Sequence, residues 1–213
     1  MIHCSQRDGR RNMRRKLDTA ARREQIAQAA LDLISEGGLR ALSMSNLAGK
    51  VDLVPSGIYR HFTGKGELMD AVLDLIGRRL FENTASVREE TEDALGRLRL
   101  LMRREMELLK KNQGVPNVVF SESMCADSPE RAVRVGRLVS AYFREIEEIV
   151  REGQRKGELR DDVEPLAVVL MFKGILLPAV VLWKATGGTL DIARHSEAAW
   201  RLFRDAVTPR REE

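Results

Sequence analysis

Apolar residues recur at helical spacing along almost the whole chain. Ile26, Ala29, Ala30, Leu33 and Ile34 define one face of a helix from about Thr19 to Glu36, and Gly37 and Gly38 end it. Ser43 stands ahead of a short second helix carrying Leu47, Ala48 and Val51. A hydroxyl there can accept from an otherwise unpaired N–H of the first turn. Residues 51–54 break the pattern. Pro55 opens a third helix reaching His61, because a proline in the first turn gives up no hydrogen bond. Phe62, Thr63 and Gly64 interrupt it. A fourth helix runs from Lys65 to about Asn83, with Glu67 in its first turn.

The same period continues downstream. Leu95, Leu98, Leu101, Met102, Met106 and Leu109 mark a helix from about Glu89 to Lys111, which the stretch from Asn112 to Pro116 breaks. A short helix covers about Asn117 to Met124. Asp127, Ser128 and Pro129 restart a long one to about Lys156, with Leu138, Tyr142, Ile146 and Ile149 on one face. A linker from Gly157 to Glu164 leads to a helix from Pro165 to Ala185, and Gly187 and Gly188 separate it from a last one, about Leu190 to Val207. No stretch alternates in the way of a half-buried strand, and no internal repeat is found. The pattern predicts an all-α fold of about nine helices. Aromatics at 5% fit that better than an all-β sandwich or barrel.

The apolar run Leu166 to Trp183 raises the question of a membrane span. It carries Lys173 and Pro178 and is short of the roughly 20 residues a span needs, so a buried helix or subunit contact is expected. Residues 1–18 hold Arg7, Arg10, Arg11, Arg14, Arg15 and Lys16 with few apolar residues, and read as a disordered basic arm without a secretory leader. Met13 offers a second plausible start.

Charge sharpens the division. Residues 1–80 hold 14 Lys/Arg against 9 Asp/Glu, whereas the remainder holds 22 against 23. A positive N-terminal part suits a polyanionic partner, although solvated surface charge gives the same count. The two cysteines, Cys4 and Cys125, show neither disulfide nor metal-site spacing, which places the chain in a reducing, cytoplasmic setting. No phosphate-binding loop, dinucleotide fingerprint or zinc-type histidine pair is present, and His3, His61 and His195 are scattered. An enzyme, a cofactor and a metal are therefore not expected.

Three helices followed by a longer fourth, with the second and third joined by four residues, form a helix-turn-helix layout. In such a motif the second helix braces on the backbone and the third enters the major groove. Pro55, Ser56 and Gly57 keep the exposed start of the third helix small. Tyr59, Arg60, His61 and Lys65 then supply donors to phosphate oxygens.

At these residues the chain resembles the TetR (tetracycline-repressor) family of transcriptional regulators. The resemblance lies in Ala29-Ala30-Leu31-Asp32-Leu33-Ile34, Gly37-Gly38-Leu39, Leu47-Ala48, Ile58-Tyr59-Arg60-His61-Phe62 and Lys65-Gly66-Glu67-Leu68. Weaker likenesses are Phe120-Ser121-Glu122 and the segment Gly153 to Leu159. The resemblance implies a DNA-binding domain over 19–80 and a ligand-binding and dimerisation domain over 81–213. It implies phosphate contacts from Tyr59, His61 and Lys65, a core place for Phe62, and a capping role for Ser43 that also touches the backbone. Ser45 stands where many members place an arginine that reads guanine, a contact serine cannot make. Specificity would then rest on Pro55, Ser56 and Gly57. Asp52 replaces the usual turn glycine, and Val54 replaces the usual hydroxyl cap.

For the C-terminal part, the resemblance implies a homodimer that binds a palindromic operator and releases it when a small apolar or amphipathic effector binds. Met102, Met106, Phe120, Met124, Tyr142, Phe143, Met171 and Phe172 are candidates for the effector cavity, although each could equally be ordinary core. Leu170, Leu177, Val181, Trp183, Trp200 and Phe203 are candidates for the dimer interface. Pro178 is expected to kink its helix. Repressor is the family's usual role; an activator of the same fold, or a helical adaptor without DNA binding, stays open. Arg10, Arg11, Arg14 and Arg15 either reach DNA or form a free tail.

Overall fold

The computed structural model describes residues 5–119 and 128–209, with side chains from Thr19 onward. Among the described residues there are nine α-helices, one short 3-10 helix and no strand. The helices are α1 (Ser5–Gly37), α2 (Met44–Lys50), α3 (Pro55–Tyr59), α4 (Lys65–Glu90), α5 (Ala94–Lys111), α6 (Val115–Val119), α7 (Pro129–Arg155), α8 (Pro165–Ala185) and α9 (Ile192–Val207). The 3-10 turn, Leu39–Ala41, follows α1. The chain divides into two units, residues 1–76 and 77–213, so the boundary falls inside α4 rather than after Leu80.

In the first unit, Ile26, Ala30 and Ile34 of α1 meet Leu47 of α2, Ile58 of α3, Phe62, and Leu68 and Val72 of α4 in a core closed to solvent. Burying side chains of this size is worth about 1.5–3 kcal/mol each. The connections are set by local chemistry. Gly38 adopts φ 69°, and its N–H closes on the Ile34 carbonyl at 2.9 Å. The Ser43 hydroxyl accepts the Asn46 N–H at 3.0 Å and caps α2. Asp52 holds the turn at φ 54°, a region that Asp tolerates better than most residues. Val54 gives α3 no side-chain cap, and Pro55 takes the first turn.

In the second unit, α8 packs against α7, α9 and α5. Phe172 of α8 meets Phe203 of α9 edge-on at 5.7 Å between ring centres, and Trp200 lies 5.7 Å from Phe203. The Gly153–Leu159 segment has a packing logic. A Cβ on Gly153 would stand 2.5 Å from the Ala94 Cβ, so only glycine lets α7 approach α5 this closely. Gly157 turns the chain at φ 70°, Glu158 accepts the Ala94 N–H at 2.6 Å, and Leu159 is buried. Burial disfavours a charge on Glu152, but Arg88 and Arg97, each at 2.5 Å, outweigh it and hold its carboxyl below the ordinary value.

The expected boundaries need revision. The backbone of α1 is helical from Ser5, inside the segment read as an unstructured arm. That segment has no apolar face, but it is rich in Arg, which favours a helix, and it lacks proline. Helix α4 continues to Glu90 because Val87 and Thr84 are buried, the Thr84 hydroxyl donating to the Phe81 carbonyl at 2.9 Å. Helix α5 starts only at Ala94, where the Asp93 carboxylate accepts the Gly96 N–H at 2.6 Å. Helix α6 begins at Val115, before the expected Asn117, and residues 120–127 lie outside the described part.

Helix α8 is long and apolar enough to cross a membrane by length and composition. It runs through Pro178 and buries Val168, Val169, Phe172, Leu176, Ala179 and Val180 within the unit. Lys173, in its middle, pairs with Glu105 of α5.

Candidate DNA-reading surface and effector cavity

Helix α3, the candidate reader, is a five-residue helix between Asp52 and Phe62 anchored by buried Ile58. The expected contact residues fall on this motif and the adjoining helix ends. Ser43, Ser45, Pro55, Ser56, Tyr59, Arg60 and Lys65 are exposed, whereas Gly57 and His61 are half-buried. Tyr59 is 54% exposed, unusually open for an aromatic residue and consistent with an unmet partner. Two details change the reading. A Cβ on Gly57 would contact Leu53 at 3.4 Å, so the bare face of this glycine lies against the turn rather than toward a ligand. The His61 Nδ1 is buried without a hydrogen-bond partner, which leaves only the other ring nitrogen for a contact outside.

A residue that sequence reasoning missed organises this end of the motif. Arg23 of α1 donates to the His61 carbonyl, pairs with Glu67 of α4 at 2.8 Å, and lies 4.2 Å over the Phe62 ring. Glu67 also accepts the Thr63 N–H at 2.7 Å and the Thr63 hydroxyl at 2.9 Å. One arginine and one glutamate thus join α1, the end of α3 and the start of α4, beside Tyr59 and Lys65. The Thr63 backbone bond, then Arg23, then the Thr63 hydroxyl draw the Glu67 carboxyl down to about 2 from 4.5. Because its folded value is depressed, this carboxylate stabilises the unit above pH 4.5, and the contribution is lost as pH falls toward 2. Acid unfolding of Glu67→Gln should therefore show a stability deficit at pH 6 that closes between pH 4.5 and 2; a deficit constant with pH would contradict this.

The second unit holds a partly open cavity of about 110 Å³. Leu80 of α4, Leu108 and Leu109 of α5, Val115, Pro116 and Val119 of α6, Leu138, Val139 and Phe143 of α7, and Leu176 and Leu177 of α8 line it. Three polar residues interrupt this apolar wall. Glu105 is buried; its carboxylate accepts from the Tyr142 hydroxyl and pairs with the Lys173 ammonium. Lys173 also stands 4.9 Å over the Tyr142 ring. Burial, then the Glu105 charge, push the Tyr142 hydroxyl well above its usual range, so it remains a donor. The Phe81 ring of α4 meets Tyr142 edge-on at 6.0 Å.

A family model described as bacterial regulatory proteins of the tetR family matches residues 26–72, and one described as the C-terminal region of YsiA-like protein matches residues 76–206. The chain belongs to the TetR family. It is 22% identical over 151 residues to a nucleoid occlusion factor SlmA of Alteromonas mediterranea, covering 70% of this chain and 77% of that protein. It shares its fold with the ketosteroid transcriptional regulator KstR2 of Mycobacterium tuberculosis, with TM-score 0.71, 20% identity, and 89% of this chain and 96% of that one covered. It also shares it with AibR solved with isovaleryl coenzyme A and operator DNA, with TM-score 0.65, 22% identity and coverage of 84% and 97%.

As a TetR-family cavity, this one differs from the set drawn from sequence. Tyr142 and Phe143 line it. Met102 and Met106 instead line a separate cleft of about 600 Å³ between α5 and α9, alongside Arg99, Lys110 and Trp200. Met171 is on the exposed side of α8, and Phe172 is core against Phe203. Phe120 and Met124 lie outside the described residues. Branched aliphatics, rather than Met and aromatic residues, build most of the wall. The missed signal was charge at core positions: Glu105 falls within the apolar stripe of α5, and Lys173 within the most apolar helix.

The interface candidates separate likewise. Leu170 and Val181 are exposed on α8, while Trp200 and Phe203 are buried among the protomer's own helices. Leu177 is half-buried on the cavity wall, and Trp183 is half-buried with Lys110 5.7 Å from its ring. Exposed Leu166, Leu182 and, on α9, Leu202 were not anticipated. Among the described residues no group of His, Cys, Asp and Glu could hold a metal.

Proposed function

We propose that this TetR-family chain is a cytoplasmic transcriptional repressor that binds a palindromic operator as a homodimer and releases it when a small effector enters the α4–α8 cavity. The observation that carries the proposal is α4. This single helix begins at Lys65, beside the reader, and continues to Leu80 and Phe81, which meet the cavity wall and Tyr142. Filling the cavity displaces packing around Leu80 and Phe81, so an effector that fits only one α4 position shifts the population toward it. AibR, solved with isovaleryl coenzyme A and operator DNA, supports the reading that this fold takes both a small molecule and DNA. The protein acts by binding, not by catalysis.

In this reading Tyr59, Arg60, His61 and Lys65 hold phosphates, Ser43 and Ser45 stand beside the backbone, and Pro55 and Ser56 meet base edges. Two copies pair through the exposed apolar side of α8 and α9, and two-fold symmetry doubles the reader. Leu170→Glu with Val181→Glu should convert the dimer to monomer in sedimentation while the helical content is kept. If that variant stays dimeric, the interface lies elsewhere. The proposal as a whole is tested by retaining an operator fragment on the protein and adding candidate effectors. An effector that binds the cavity without changing operator affinity would contradict it.

A further inference from the structure

The polar triad in the cavity wall suggests the chemistry of the effector. We infer that the α4–α8 cavity selects a neutral apolar group carrying one hydrogen-bond acceptor, such as a ketone, ester or hydroxyl oxygen, and rejects a free carboxylate. The inference rests on the effector reading above and deepens it.

Of the two Glu105 oxygens, one accepts from Tyr142 and the other from Lys173. Their remaining lone pairs are shut in, because Glu105 is almost fully buried, so it offers a ligand little acceptor surface. Lys173 has three N–H donors. Among the described residues, one goes to Glu105, and the Tyr142 ring faces the ammonium. What the pocket presents is a donor, so the matching ligand atom is an acceptor.

Charge then chooses among acceptors. Glu105 is 1% exposed and already neutralises Lys173. A ligand carboxylate would add a second anion beside a buried one, leaving a net negative charge in a low-dielectric site. A neutral oxygen takes the Lys173 donor without that cost. The remaining wall is aliphatic and aromatic, which fits the hydrocarbon part. An apolar cavity of about 150 Å³ holds benzene, so 110 Å³ suits a short branched chain of about four or five heavy atoms.

The test measures binding of butanone, propionate and isopentane, which match in size and branching, to the full chain by calorimetry and by amide shifts at Lys173 and Leu176. Butanone should bind at least about tenfold more tightly than either of the others, roughly one net hydrogen bond. In Glu105→Gln the buried anion is gone while the shape is kept, so the ketone-to-carboxylate ratio should fall about tenfold or reverse. Leu108→Trp, which fills the space, should abolish all binding and confirm the location. Equal binding of the three probes, a preference for carboxylate in the native chain, an unchanged ratio in Glu105→Gln, or no binding by any probe would each overturn the inference. Operator retention by the unliganded chain tests the regulatory reading separately, so the two can fail independently.

Discussion

Replacing Lys173 by methionine is expected to lower stability by about 3 kcal/mol, toward the low end of the cost of breaking a buried ion pair. Lys173 keeps 22% side-chain exposure, whereas Glu105 keeps 1%, so the damage comes from the glutamate left buried and uncompensated. For a chain of this size the melting temperature should fall by about 6–12 °C. Adding Glu105→Leu to Lys173→Met should recover most of that loss, because replacing both partners with apolar groups removes the orphaned charge. Calorimetric melting of the two variants checks this. If the double variant melts no higher than the single one, the pair is not what ties α5 to α8.

The second large effect is on DNA. Arg60→Ala with Lys65→Ala removes two exposed cations per protomer and four per dimer. At about 1 kcal/mol for each phosphate contact, operator affinity should fall roughly a thousandfold. The slope of log affinity against log salt should become shallower by about 3–4. Both side chains are exposed, so thermal stability should be unchanged. Affinity measured at several salt concentrations separates a lost phosphate contact from a misfolded reader. An unchanged slope would remove both residues from the interface.

Helix order was largely legible because amphipathic periodicity reports a buried face directly. The boundaries that moved did so where the period is weakest. Residues 5–18 have no apolar face to read, and the acidic run Glu89 to Asp93 hides Asp93 as the cap of α5. The helix-turn-helix was legible because exposed Tyr59, Arg60 and Lys65 are interspersed with buried apolar Ile58 and Phe62 from the end of the third helix to the start of the fourth. The Arg23–Glu67 tie was not legible, since it joins residues 44 positions apart that only the fold brings together. The cavity was the least legible part. Whether a given Leu or Met packs the core or lines an opening depends on three-dimensional voids, and periodicity carries no information about voids. Charged residues at buried positions were the available clue, because a buried ion requires a partner.

The central claim is that the surface from Ser43 to Lys65 reads operator DNA in a two-fold dimer. The most direct test is to mix the full chain with fragmented genomic DNA from its source, recover the bound fragments and sequence them. The account predicts enrichment of a two-fold symmetric site whose half-sites lie one helical turn, or a multiple of it, apart. Recovery of no sequence above background, or of one without two-fold symmetry, would contradict it.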